Sequence, residues 1–329
     1  YPKAYIFDEV YHAFTAQEMV KGNIAAWEWW NSPPSGFAYE WTHPHLAKMF
    51  MAGSLWLGQQ LKIGSDYFWW RLPAVFFGAG VIFLTYVLAK KLFHSEKTAL
   101  LAALFLSLDG LALVMSRVGM VDIYFLFFSL LTFWLALEKK WWLTAIIWGL
   151  ALSTKWTGIY LFFPLFLLFA WQYLKKPFEL LHWFLLTGLV LLIYLSSYVF
   201  FFTSGHNVAQ FVELQRQMWG YHTGLKATHS YQSPALSWPL DLRPVLHIPP
   251  DKSLPVVPLR PGVLKGALEF FHLHRDAGAS AEQLGDLLDE GCTLLLSFHE
   301  DPKESLDFLQ AGHRKAVGHY RTPRPRRRR

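Results

Sequence analysis

The chain has 329 residues, of which 53% are hydrophobic, 18% aromatic and only 16% charged, with a formal net charge of +6. Average soluble domains carry about 25% charge, so the composition argues against an ordinary water-soluble domain and for a membrane protein. The single cysteine, Cys292, excludes an intrachain disulfide and any zinc site built on a cysteine framework.

Along the chain these averages divide. All 16 tryptophans lie at or before Trp238, whereas 24 of the 54 Asp, Glu, Lys and Arg residues fall within 246–329. The chain starts at Tyr1 rather than Met and shows no signal peptide, which reads as a fragment or a processed form. In residues 1–71, "AFTAQEMV" and "HLAKMFMAGSLWLGQQL" predict amphipathic helices lying along a membrane surface, separated by the turn-forming "NSPPSGF" and "THPH". Apolar runs follow at 72–93, 98–116, 118–137, 156–174 and 180–203, each long enough for a spanning helix of about 17–25 residues. A sixth run, "WWLTAIIWGLALST" at 141–154, is short for a span, and its alternative is a re-entrant or interfacial helix. The expectation is an all-α polytopic membrane body of about six helices over 72–203, then a second external segment over 204–245 rich in His, Tyr and Trp. No internal repeat is legible.

From residue 246 a proline-spaced stretch leads to helix-like patterns at 262–275, 280–290 and 303–311 and to a terminal "RTPRPRRRR". This tail, 246–329, resembles the product of an unintended reading frame more than a fused domain, and no function is assigned to it. The arginine run reads as a solvated end rather than a nucleic-acid ligand.

With six crossings, Lys90, Lys91, Lys97, Lys139, Lys140, Lys175 and Lys176 share one side, while the opposite connecting loops hold only Arg117 and Lys155. The positive-inside rule makes the lysine side cytoplasmic and puts 1–71 and 204–245 on the external face.

Several residues on that face could carry chemistry. Asp8 and Glu9 are adjacent carboxylates among aromatics, and apolar surroundings can tune a carboxylate toward general-base work. The competing reading is a solvated loop pair. Arg71 stands where an apolar run begins and suits either a lipid phosphate or an interfacial anchor. Asp109, Arg117 and Asp122 lie near the external ends of two runs; ionisable groups at membrane depth cost roughly 2.5–3.5 kcal/mol each, so they pair or work. A structural Arg–Asp pair between helices is the reading favoured for them. Lys155 is either a snorkelling anchor or a phosphate ligand. His222, His229 and Tyr231, with Glu213 nearby, suit hydrogen bonding to a phosphate or sugar better than a metal, because the histidine spacing matches no zinc pattern.

"FDEVYHA", "THPHLAKMF", "RLPAVFFG", "SRVGMVDIYFLFF", "GLALSTKWTG" and "YHTGLKATHSYQSPALSWPLDLRP" occur in that order. Together they resemble the protein O-mannosyltransferases, the polyprenyl-phosphate-mannose–protein mannosyltransferase family, and most closely its bacterial branch, over residues 1 to about 245. The resemblance implies a C-type glycosyltransferase (GT-C) fold in a bacterial plasma membrane with its site in the first external loop. It implies transfer of mannose, with inversion, from polyprenyl-phosphate mannose to Ser or Thr hydroxyls of exported proteins. By position, Asp8 matches the family's catalytic aspartate, Glu9 its acidic neighbour, and Arg71 the arginine expected at the donor phosphate, with Lys155 as a second phosphate ligand. His43, Arg117, Asp122, His222, His229 and Tyr231 would line the site. No cofactor is implied with assurance, and a part for a divalent metal stays open. The chain departs from the family at "HPH", where His45 replaces a proline, and after "RPV", where the tail replaces further spans.

Two other readings compete. A transferase of the same architecture could deliver its sugar to lipid or glycan, since no legible motif encodes the acceptor. A transporter or scaffold fits less well, because the ionisable residues gather at one face rather than at mid-membrane on broken repeats.

Overall fold

The computed structural model describes residues 3–173 and 179–225, which belong to one compact unit. Among these residues all regular structure is helical. In chain order the α-helices are α1 (His12–Val20), α2 (Leu46–Leu61), α3 (Asp66–Phe93), α4 (Glu96–Leu108), α5 (Gly110–Met115), α6 (Asp122–Leu137), α7 (Trp141–Thr154), α8 (Phe162–Tyr173), α9 (Glu179–Ser196), α10 (Val199–Thr203) and α11 (Val208–Gly224). Short 3-10 turns at Phe7–Val10, Ile24–Trp27 and Trp156–Leu161 lead into their neighbours. His229, Tyr231, the rest of 226–245 and all of 246–329 lie outside the described residues.

Two stretches are long and apolar enough to cross a membrane, Asp66–Phe93 and Trp156–Tyr173; Asp122–Leu137, Trp141–Thr154 and Leu180–Ser196 are apolar but shorter. The expected boundaries need correction at three places. The run at 98–116 is broken at Asp109, whose extended backbone (φ −67°, ψ 121°) ends α4 and whose carboxylate accepts the Ala112 N–H at 2.6 Å to start α5. The run at 180–203 is interrupted between Ser196 and Val199. The third helix begins at Asp66 rather than 72, so Trp70 and Arg71 are helical and buried rather than part of a connecting loop.

Large apolar side chains cover the outside of these helices: Phe76 and Phe83 on α3, Phe105 and Leu108 on α4, Trp171 on α8 and Phe184 on α9 are all more than half exposed. In water such a continuous surface would drive aggregation, whereas in hydrocarbon it is the natural exterior. The interior separates into packed groups. One joins α1, α2, α3 and α6 through Ala13, Ala47, Met51, Trp70, Ala74 and Tyr124. Another joins α6 to α9 through Phe128, Trp148, Leu165, Phe169, Trp183 and Leu186. A third seats α11 against α9 and α10 through Tyr198, Phe201, Leu214 and Met218, with Trp27 from the N-terminal segment.

Small residues set the closest approaches. A Cβ on Gly78 of α3 would lie 2.3 Å from the Cβ of Ser116, at the end of α5. Gly78→Val therefore overpacks the α3–α5 contact and is expected to destabilise by about 1–3 kcal/mol. Gly53→Ala in α2, where no atom stands within 4 Å, should leave stability unchanged or slightly raised. Thermal unfolding of both variants in detergent checks this, and equal melting curves for the two would refute the packing assignment.

Candidate active site

The adjacent carboxylates of "FDEVYHA" have different fates. Phe7 adopts φ +49°, a left-handed conformation unusual for a bulky residue, and starts the 3-10 turn that carries Asp8 and Glu9. Glu9 is fully buried, whereas Asp8 on the same turn stays partly accessible. The two oxygens of Glu9 accept five hydrogen bonds. Oε1 accepts Arg71 Nε at 2.7 Å, Gly119 N at 2.8 Å and Trp70 Nε1 at 3.3 Å. Oε2 accepts Arg71 Nη2 at 2.5 Å and Ile6 N at 2.9 Å. Arg71, itself fully buried, also donates from Nη2 to the Ala4 carbonyl at 2.8 Å. Its guanidinium thus grips a carboxylate with two nitrogens, in the fork geometry for which arginine is suited. This geometry holds Arg71 inside the protein against Glu9, not at an accessible surface.

That pair ties the chain start to α3 and to the segment after α5. The glycine of "SRVGMVD" has a reason in this contact: a Cβ on Gly119 would stand 3.2 Å from the Trp70 ring and 3.4 Å from Glu9 Oε1. Glycine lets the backbone N–H reach the carboxylate.

A second polar network lies next to α1 and was not legible beforehand. Glu40, buried in the loop before α2, accepts Lys48 Nζ at 2.6 Å, Thr42 N at 3.0 Å and His43 Nδ1 at 3.0 Å; the Thr42 hydroxyl also donates to it. Lys48, fully buried on α2, donates further to the carbonyls of Glu40 at 2.5 Å and His43 at 3.0 Å, which satisfies its three protons. His12 of α1 places Nδ1 3.7 Å from Glu40 Oε2. Burial works to raise the Glu40 carboxyl, but Lys48 and the hydrogen bond from His43 outweigh it and hold it well below the ordinary range. Burial dominates at His12 and lowers it to about 4, so its neutral form is the folded one. The start of α6 packs in the same group as α1, through Ile123 and Tyr124 beside Ala13. His45, the departure from the family's "HP" motif, is buried between the rings of Trp27 and Tyr198, and neither of its ring nitrogens finds a partner.

The remaining sequence candidates distribute unevenly. Asp122 pairs with Lys155 at 2.7 Å, joining the start of α6 to the end of α7. This corrects the expected Arg–Asp pair: the partner is Lys155, and Arg117 is exposed without an ion pair among the described residues. His222 on α11 donates from Nε2 to the Thr42 carbonyl at 2.8 Å, and its ring stands 5.3 Å from that of His43. The structure therefore brings His43, His222 and Glu40 together, and Asp8 lies four residues before His12 on the turn that leads into α1. Among the described residues no group of three or more His, Cys, Asp or Glu side chains is placed to hold a metal. Glu40, Lys48 and His12 escaped the sequence reading because a separation of eight residues across a loop carries no periodic signal. The one hint was a lysine among the apolar residues of "HLAKMFMAG".

Comparison with known proteins places the chain in a sequence family. The sequence family described as dolichyl-phosphate-mannose-protein mannosyltransferase matches residues 38–211. A Corynebacterium glutamicum protein named polyprenol-phosphate-mannose–protein mannosyltransferase is 28% identical over 203 residues, 52% of this chain and 38% of its own length. Proteins of the same name from Mycolicibacterium smegmatis and Mycobacterium tuberculosis are 23% identical over 320 and 312 residues, covering 76% and 74% of this chain. The chain spans 60% and 58% of the length of those two relatives. No solved structure matches the chain.

Two measurements follow from the buried networks. Glu9→Ala or Arg71→Ala leaves one buried charge without its partner and should cost about 3–5 kcal/mol. The double variant should cost clearly less than the two losses combined, whereas additive losses in a chemical-unfolding cycle would deny the coupling. For His12 the folded chain binds fewer protons than the unfolded chain between pH 6.5 and about 4, so stability falls as pH is lowered through that window. The loss is on the order of 3 kcal/mol at full protonation. His12→Gln should flatten this acid limb of the melting temperature; superposable limbs for parent and variant would count against the assignment.

Proposed function

The chain belongs to the dolichyl-phosphate-mannose-protein mannosyltransferase family, and from that premise we propose that it transfers mannose from polyprenyl-phosphate mannose to Ser or Thr hydroxyls of exported proteins. The observation that carries this reading is the division of labour between Asp8 and Glu9. Glu9 is locked inside by Arg71, Gly119, Trp70 and Ile6, and Asp8 on the same turn is partly accessible.

In this reading Asp8 accepts the proton of the acceptor hydroxyl as its oxygen attacks the anomeric carbon. The bond from that carbon to the phosphate oxygen breaks on the opposite side, which inverts the centre, and polyprenyl phosphate leaves. Arg71 and Glu9 act as positioning residues: they hold the strained Phe7–Val10 turn so that Asp8 projects without rearrangement. With Arg71 enclosed, the negative charge of the leaving phosphate falls to cations at the external ends of α5 and α7, Arg117 and Lys155. Lys155 is neutralised in part by Asp122, and Arg117 is exposed. A lipid-linked donor accounts for a site at the foot of a helix bundle whose flanks are apolar.

The wider architecture in this reading is a GT-C fold with about six crossings in this chain, in a bacterial plasma membrane, with the Asp8 segment facing outward. The lysines Lys90, Lys91, Lys97, Lys139 and Lys140 support the orientation. Delivery to lipid or glycan is the second reading, and the relatives' names, which specify protein, favour the first.

Membranes expressing the intact gene, supplied with labelled polyprenyl-phosphate mannose and a Ser/Thr-rich peptide, should yield mannosyl-peptide. Asp8→Asn should lower the rate by about 10²–10⁴-fold without changing the melting temperature, the loss expected for a general base. Label appearing only in lipid or glycan would instead establish the second reading. Arg117→Ala should raise the KM for donor more than it lowers kcat, and an unchanged KM would remove it from the donor site.

A further inference from the structure

The Glu40–His43 pair has a feature that its structural neighbours do not explain. Glu40 is anchored by Lys48 and by the Thr42 backbone, so its Oε1 is a fixed carboxylate oxygen 3.0 Å from His43 Nδ1. A carboxylate accepts and cannot donate, which assigns the neutral imidazole the tautomer with its proton on Nδ1. The Thr42 hydroxyl, also 3.0 Å from Nδ1, donates its own proton to Glu40 and does not change this assignment. Nε2 then carries a lone pair. It bonds to no group among the described residues, and the side chain is 19% exposed, so the lone pair is reachable.

The surroundings limit what would reach it. The His12 ring stands 5.7 Å from His43 on one side and the His222 ring 5.3 Å on the other. Trp41 packs edge-on to Tyr221 at 5.7 Å, and Tyr221 to His222 at 5.4 Å, so an aromatic rim from the loop and from α11 flanks the imidazole. Lys48 faces His43 only through its backbone carbonyl. The turn at Phe7–Val10, which carries Asp8, leads into α1 and His12. A fixed acceptor atom bordered by ring faces is the arrangement that meets a hydroxyl on an otherwise apolar sugar face.

We propose that His43, held in one tautomer by Glu40, accepts a hydrogen bond from one ring hydroxyl of the transferred sugar, and that His43 sets sugar specificity while Glu40 acts as its positioning residue. The inference rests on the mannosyl-transfer reading for the identity of the sugar, but not on Asp8 as base. A site built to accept a hydroxyl discriminates against the analogue that lacks it, because the acceptor atom is then left unpaired.

The test uses the full-length protein in detergent and follows binding and turnover separately. Polyprenyl-phosphate mannose and its 2-, 3-, 4- and 6-deoxy analogues are titrated by tryptophan fluorescence, and transfer to a Ser/Thr peptide is measured in parallel. The parent should bind one deoxy analogue about tenfold more weakly than the full donor, the discrimination of a single hydrogen bond. His43→Phe keeps a ring between His12 and His222 but lacks the acceptor. It should bind the full donor and that analogue with equal, weakened affinity, and His43→Gln, which restores an acceptor oxygen, should regain part of the preference. Unchanged discrimination in His43→Phe, or a change confined to the KM for peptide, overturns the proposal. Donor binding with the expected deoxy pattern but no transfer to any acceptor would retire the transfer reading and leave the sugar subsite standing.

Discussion

A carboxylate and a guanidinium enclosed together, Glu9 and Arg71, constrain the end of the helix bundle where the first residues pack. Neither is stable inside without the other: each carries a desolvation cost of several kcal/mol that only close, well-directed hydrogen bonds offset. The pair therefore requires that the chain start, the first turns of α3 and the segment around Gly119 meet at one point. Arg71 can reach Glu9 only because α3 starts at Asp66 and carries it inward beside Trp70. Gly119 meets the same oxygen at a place where a Cβ would press on the Trp70 ring at 3.2 Å. The left-handed backbone at Phe7 is the local strain that this convergence holds in place.

The second network repeats the logic with a lysine. Lys48 would be costly on a buried helix face if any of its protons lacked an acceptor, and Glu40 would be costly without Lys48. Together they pin the loop 40–45 onto α2, and through Thr42 they hold α11 by way of His222. The two networks face one another across α1, whose His12 ring touches the second while its preceding turn supplies the first. A polar layer of two hydrogen-bonded networks is thus laid against an apolar bundle, with His43 partly accessible and Arg117 exposed beside it.

The histidines show how far environment outweighs residue type. His12 and His45 are buried, and burial pushes both below the ordinary imidazole value, so they are neutral packing groups near neutral pH. His43 and His222 lie a few ångströms away and reach the surface. His206 donates from Nδ1 to the Phe201 carbonyl at 3.0 Å and approaches Glu28 at 3.1 Å, a link between α10 and the N-terminal segment. His222 and His206 are tied to backbone carbonyls by hydrogen bonds, His12 and His45 are enclosed, and His43 is held by Glu40 through Nδ1.

Composition and hydrophobic runs determined that this chain is helical and apolar on its outside, because those properties are sums over many residues and survive any error of register. The ordered motifs likewise drew attention to Asp8, Glu9, Arg71, His43 and Lys155 as candidate site residues. Which of them touch was decided only by tertiary structure. The Asp109 break, the Asp122–Lys155 pair across 33 positions and the Arg71–Glu9 lock across 62 depend on helix packing at distances that no local period encodes. Glu40 and Lys48 show the same limit: a buried ion pair is a property of the space between elements, where desolvation and geometry are settled together, and a linear sequence names its members without naming the pair.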